Sequence, residues 1–263
     1  MSLDPDLNKL YHSETNVRPS VPFFQQAAYD VALYTDKSGP PKGVLLITIC
    51  LQYRFEDGVS EQTATYGQKL TWTQQEKEEF ALRFRAVCYS TWSDRFRIIR
   101  VLPYWNGSDL TDIGVMINIK NVVDEPTIHD HWELTIKKTD IFMVSGVYPR
   151  KKVADLDSLD LNPDHKGGSK QRAAVHEFGH MLGFREEYPN PNETKEDGTP
   201  KRDPTDFTDA WTLDEESVMY NGETVRERHY APFAGWLNKV FAVTLEKDGY
   251  KVAGLWTVSN SKL

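Results

Sequence analysis

Two histidines and a glutamate stand close enough in the stretch Val175, His176, Glu177, Phe178, Gly179, His180 to do chemistry together. On a helix, positions i and i+4 share one face, so His176 and His180 can aim ring nitrogens at a single cation. Glu177 stands beside them, where its carboxylate can take a proton from a water that the cation activates. Val175, Phe178, Gly179 and Leu182 fall on the opposite face and would seat the helix on a core. With 7 histidines and 18 glutamates in 263 residues, the spacing H-E-x-x-H arises by chance about 0.01 times. The pattern therefore calls for a chemical explanation.

Downstream residues extend it. Gly183 lies three positions after His180, where a helix can end through a residue of positive φ and let the chain turn back. Glu186, three residues further, can return to the cation as a third protein ligand and leave a fourth position for water, as a catalytic zinc needs. Glu187 competes for that role. A carboxylate ligand gives the ion more negative charge than a third imidazole would, so the activated water stays less acidic and Glu177 becomes more necessary.

These residues resemble the zincin metallopeptidases, and more narrowly the metzincin pattern H-E-x-x-H-x-x-G-x-x-H, with Glu186 where that pattern ends on His. Ser217, Val218, Met219 and Tyr220 look like the Met-turn of such proteins, which sets a structural Met beneath the ligands. The wording His-Glu-Phe-Gly-His-Met-Leu-Gly is also similar to bacterial metallopeptidase domains, some associated with toxin delivery systems. The resemblance implies a zinc peptidase acting on a protein or peptide substrate, with a delivery-system partner as a further association. Zn²⁺ held by His176, His180 and Glu186 would polarise the scissile carbonyl, while Glu177 takes the proton and passes it to the leaving amine. The implied fold is α+β and zincin-like: a twisted mixed β-sheet with an early helix, an active-site helix and a C-terminal helix after the Met-turn.

An oxyanion needs a further donor. His229 is the candidate catalytic residue for that role, with Tyr230 beside it; the alternative is a histidine that caps or packs at a helix end. His129, His131 and Glu133 would share one strand face, read as solvated, with metal or substrate binding as alternatives. The alternative for the whole chain is a catalytically inactive binding or structural module that keeps its zinc site, against which Glu177 speaks, because a structural site has no use for a base.

The elements that must position these groups follow from patterning. Residues 43–55 are β-branched and end at Asp57-Gly58, which reads as a buried strand. Thr73 and Glu76 have capping-box spacing, and Phe80, Phe84, Val87 and Cys88 recur at helical intervals, so a helix is expected over 74–92. Residues 96–105, 113–123 and 131–137 read as further strands. Residues 1–42 read as a loosely structured lead-in, 43–240 as the catalytic domain and 241–263 as a terminal β-hairpin. Residues 189–216 form a long acidic loop, read as a solvated lid, whose spacing is not that of an EF-hand. Arg185, Arg202, Arg226 and Arg228 could pair with its acids or with a substrate carboxylate.

Composition narrows the partners. Net charge is −8, with no basic stripe, which argues against nucleic acid. No apolar run approaches the roughly 18–20 residues of a membrane span. The N-terminal residues lack the pattern of a secretory signal, so the expectation is a chain cytoplasmic as synthesised, with delivery outside the cell by a non-classical route left open. Cys50 and Cys88 are too few for a disulfide framework and are read as two buried thiols or one bridge.

Overall fold

Apolar side chains on alternate residues after position 42 make the central strand of the fold. The computed structural model of the chain describes residues 8–17, 28–36, 42–100, 110–123, 131–166, 169–187, 214–247 and 256–259. Its strands are β1 (Asn8–Val17), β2 (Tyr29–Asp36), β3 (Lys42–Glu56), β4 (Gly58–Val59), β5 (Lys69–Leu70), β6 (Arg97–Arg100), β7 (Asp112–Val123), β8 (Trp132–Lys137), β9 (Gly146–Tyr148), β10 (Val153–Asp157), β11 (Asp164–Lys166), β12 (Ser169–Gln171) and β13 (Trp256–Ser259). Helices α1 (Gln74–Trp92), α2 (Ala173–Met181) and α3 (Ala231–Lys247) accompany them, with a 3₁₀ turn at Glu227–Tyr230 leading into α3.

Nine strands form one mixed sheet in the order β13-β6-β7-β3-β8-β10-β9, with β2 also on β3 and β1 outside β2. β7 runs parallel along one edge of β3. The other edge is shared: β2 pairs antiparallel with residues 43–48 and β8 pairs parallel with residues 51–56. Leu45, Ile47, Ile49, Leu51 and Tyr53 of β3 are fully buried, as are or nearly are Ile113, Val115, Ile117 and Ile119 of β7. This period-2 face is covered by α1, which buries Phe80, Ala81, Phe84, Cys88 and Trp92. The α1 start is the one its spacing predicts: Thr73 Oγ1 accepts from the Glu76 N–H, and the Glu76 carboxylate accepts from the Thr73 N–H.

Among the described residues, 42% are in strands and 25% in helices, and α2 has only nine residues, less than three turns. The fold is therefore sheet-dominated, and not the α+β zincin-like architecture with a long helix carrying the site. Two physical reasons stand out. α2 starts directly after the β11–β12 hairpin and is closed off at Gly183, and the lead-in supplies strands instead of loose chain. Within residues 1–42, β1 and β2 pair in seven positions and β2 docks on β3. In the expected terminal hairpin, residues 241–247 continue α3, and among the described residues β13 is the one strand, pairing antiparallel with β6.

His131 is a further correction. It is 5% exposed and not on a solvated face. Residue 50 falls where β2 has ended along β3 and β8 has not begun, and the imidazole fills the gap: Nδ1 accepts from the Cys50 N–H at 2.9 Å, while the His131 N–H donates to the Cys50 carbonyl at 2.9 Å. Nε2 then carries the proton and donates to Asp30 Oδ1 at 3.1 Å. His129 lies outside the described residues. Cys50 and Cys88 are not joined in a disulfide, and Cys88 is buried. No helix among the described residues is long and apolar enough to cross a membrane.

Candidate metal centre

Helix α2 is short because both its ends are defined by specific bonds. At its start the Glu223 carboxylate accepts from the Arg172 N–H at 2.8 Å and from the Arg172 guanidinium at 2.7 Å. At its end the Phe184 N–H donates to the Gly179 carbonyl at 3.0 Å and the Gly183 N–H to the His180 carbonyl at 2.9 Å, a Schellman closure. Gly183 takes the positive φ this requires, 98°. The chain then reverses beside the helix, as its glycine predicts.

That reversal brings Glu186 back to the histidines. His176 Nε2 and His180 Nε2 are 3.2 Å apart, and each lies 3.1 Å from an oxygen of the Glu186 carboxylate. Two imidazole nitrogens on one tetrahedral zinc, bonded at about 2.0–2.1 Å, stand about 3.3 Å apart. The observed separation is close to that requirement. The tautomers fit as well. His176 Nδ1–H donates to the Val218 carbonyl at 2.9 Å and His180 Nδ1–H to the Phe184 carbonyl at 2.7 Å, so both Nε2 atoms present lone pairs. Two lone pairs and a carboxylate facing one another repel unless a shared proton or a cation lies among them. The group His176, His180 and Glu186 can thus hold a metal ion. The histidines are largely buried and Glu186 is 39% exposed, which leaves the group open on one side.

Electrostatics agree with that account. Burial works against a charged His180, but the hydrogen bond and field of Glu186, with the field of Glu177, raise its pKa. Burial also works against ionised Glu186, yet His176 and His180 hold its carboxyl far below the usual range. A group that draws protons onto its histidines draws metal cations in the same way, in competition with protons.

Glu187 is not part of this group. Its carboxylate faces the other way, accepting from Arg228 Nε and Nη2 at 2.6 Å each, from the Ser217 hydroxyl and from His229 Nε2–H at 3.1 Å. Burial works against its ionisation, but these donors hold the carboxyl at about 2. His229, expected as an oxyanion donor, belongs to this network. It is 2% exposed, packs on Trp92 and Phe184, and accepts the Arg226 N–H on Nδ1. Burial outweighs Glu187 and lowers its pKa. These contacts are those of the alternative reading, a histidine packed at a helix end. Tyr230 is likewise buried, its hydroxyl donating to the Trp92 carbonyl at 2.5 Å. Of the arginines, Arg226 pairs with Asp214 and Glu216, and Arg228 with Glu187 and Asp214. The acidic loop between residues 188 and 213 lies outside the described residues.

Met219 sits in a tight turn that begins at Ser217. The turn is closed by the Tyr220 and Gly222 N–H groups on the Ser217 carbonyl, both at 3.0 Å, and Met219 is fully buried against α2. A Cβ at Gly179 would collide with Met219 Sδ and come within 2.8 Å of Trp92. Gly179→Ala is therefore expected to cost about 1–3 kcal/mol through overpacking, read as a fall of several degrees in the thermal midpoint; an unchanged midpoint would mean the turn packs elsewhere.

Two buried residues carry no signal at the sequence level. The Gln171 side-chain nitrogen lies 3.0–3.2 Å from the carbonyls of Val218, Tyr220 and Gly222, tying the turn to the start of α2. Asp160, 1% exposed, accepts from Ser145 Oγ at 2.5 Å and from the Asp157 N–H at 2.8 Å. Burial, aided by the fields of Asp157 and Glu177, pushes its carboxyl up to about 7 against those bonds. With its folded value above the ordinary 3.8, the folded chain keeps the proton longer than the unfolded one. Its contribution to stability is full below about pH 4 and is lost as pH rises through about 7. Asp160→Asn is expected to flatten that decline, measured by urea unfolding between about pH 5 and pH 8. An unchanged slope would place the proton elsewhere.

Comparison with family models, curated proteins and solved structures finds no match.

Proposed function

We propose that this chain is a zinc-dependent peptidase whose ligands are His176, His180 and Glu186 and whose general base is Glu177. The observation that carries the reading is the convergence of two Nε2 lone pairs, each oriented by a backbone carbonyl, on one exposed-side carboxylate. Two imidazoles and a carboxylate with an open side form a donor set of catalytic zinc sites; structural sites close with four protein ligands. When bound, zinc supplies Lewis acidity toward a carbonyl and acidifies water.

The chain's own residues do the rest. The Val218 and Phe184 carbonyls keep both rings in the tautomer that ligates. Glu177 is 7% exposed and adjoins His176 on a helix anchored by Trp92, whose indole N–H donates to the Val175 carbonyl at 3.1 Å. Its carboxylate receives the proton of the attacking water and returns it to the amine nitrogen as the peptide bond breaks. Glu187 and His229 stay outside the reaction and support the turn.

The test is hydrolysis of a mixed peptide library by the purified chain. Cleavage is expected with zinc, to fall to background with a chelator such as 1,10-phenanthroline, and to return when zinc is restored. Zinc binding without cleavage of any peptide or protein substrate would favour an inactive module that keeps its zinc site.

A further inference from the structure

The three ligands differ in how they are supported. His176 and His180 sit on a helix closed at both ends, whereas Glu186 sits on chain that is neither helix nor strand, with its side chain 39% exposed. A carboxylate on such a segment has many orientations, and something must select the one facing the histidines. Its neighbour provides that selection. The Glu187 N–H donates to the Met219 carbonyl at 2.9 Å, and the Glu187 carboxylate accepts both arms of the Arg228 fork together with Ser217 and His229. Arg228 also holds Asp214 at 2.7 Å, so one guanidinium ties the chain at residue 187 to its return at residue 214. With Glu187 drawn toward the Met-turn, Glu186 leaves the backbone toward the histidines.

We propose that Glu187 and Arg228 form a latch that aims Glu186 at the cation, so that metal affinity depends on Arg228, 41 positions beyond Glu187. The inference rests on the reading of His176, His180 and Glu186 as metal ligands. Both latch members are positioning residues. Their effect differs from simple electrostatics in sign. Glu187→Gln removes a negative charge near the ion and Arg228→Met removes a positive one, so a purely electrostatic influence would weaken binding in the first and strengthen it in the second. The latch weakens binding in both.

The experiment uses the full chain stripped of metal, titrated with Zn²⁺ against a chromophoric chelator and with Co²⁺ by visible absorption. Native chain is compared with Glu186→Gln, Glu187→Gln, Arg228→Met and Arg228→Lys, and the thermal midpoint of each metal-free chain is recorded. Glu187→Gln and Arg228→Met are expected to bind zinc about 10- to 100-fold more weakly, the range for loss of a group that orients a ligand. Their Co²⁺ spectra are expected to move toward that of Glu186→Gln. Arg228→Lys keeps the charge without the two-armed fork, stays closest to native in folding, and is expected to fall between. Native affinity in the latch variants, or opposite changes in the two, overturns the latch even if their midpoints fall. If the native chain itself binds neither metal, the ligand reading fails instead.

Discussion

Glu177→Gln is expected to lower peptide hydrolysis by about 10²- to 10⁴-fold while zinc stays bound, because it removes a proton acceptor and leaves the ligands in place. The substitution is nearly isosteric, so α2 keeps its packing on Trp92 and its end at Gly183. The field of Glu177 raises the pKa of both His180 and Asp160, so its charge bears on both groups. A loss of hydrolysis accompanied by loss of zinc would show that the substitution disturbs the ligands. Full activity with zinc bound would remove Glu177 from the mechanism.

The second large effect concerns the histidines. His180→Ala deletes a proposed ligand and the bond to the Phe184 carbonyl, and His176→Ala deletes a proposed ligand and the bond to the Val218 carbonyl. Each is expected to weaken zinc binding by more than about 100-fold, beyond what loss of an orienting partner produces. Chelator competition on the purified variants measures this. An affinity within a few-fold of native in either variant would exclude that ring from the ligand set.

Local signals carried the elements nearest the chemistry. The capping box at Thr73 and the β-branched run after Gly43 each specify structure within a few residues, and α1 and β3 follow them. Gly183 does the same for the reversal that returns Glu186 to the histidines. The choice between Glu186 and Glu187 was not legible, because it depends on Arg228, Ser217 and the Met219 carbonyl, all distant in sequence. The strands of the first 36 residues escaped for a similar reason. β2 is stabilised by the free edge of β3, and no composition within residues 29–36 reports that edge. Residues 241–247 carry β-branched and aromatic side chains, yet continue a helix already begun at Ala231, a case of chain context overriding propensity. His131 reads as a surface histidine until the gap between β2 and β8 is known.

The role of Gln171 illustrates the same limit at the site itself. A single amide gathers three carbonyls of the turn that orients His176, and nothing about its neighbours in sequence marks it. Support of this kind helps a nine-residue helix on a sheet-dominated fold to hold the Nε2 atoms of its two histidines 3.2 Å apart.

Zinc content of the native chain by elemental analysis, as isolated and again after stripping and controlled re-addition, tests the metal site before any other property. One zinc per chain, retained through gel filtration, is the result expected from His176, His180 and Glu186 converging as they do. No bound zinc under either condition would contradict the metal site and the peptidase built on it.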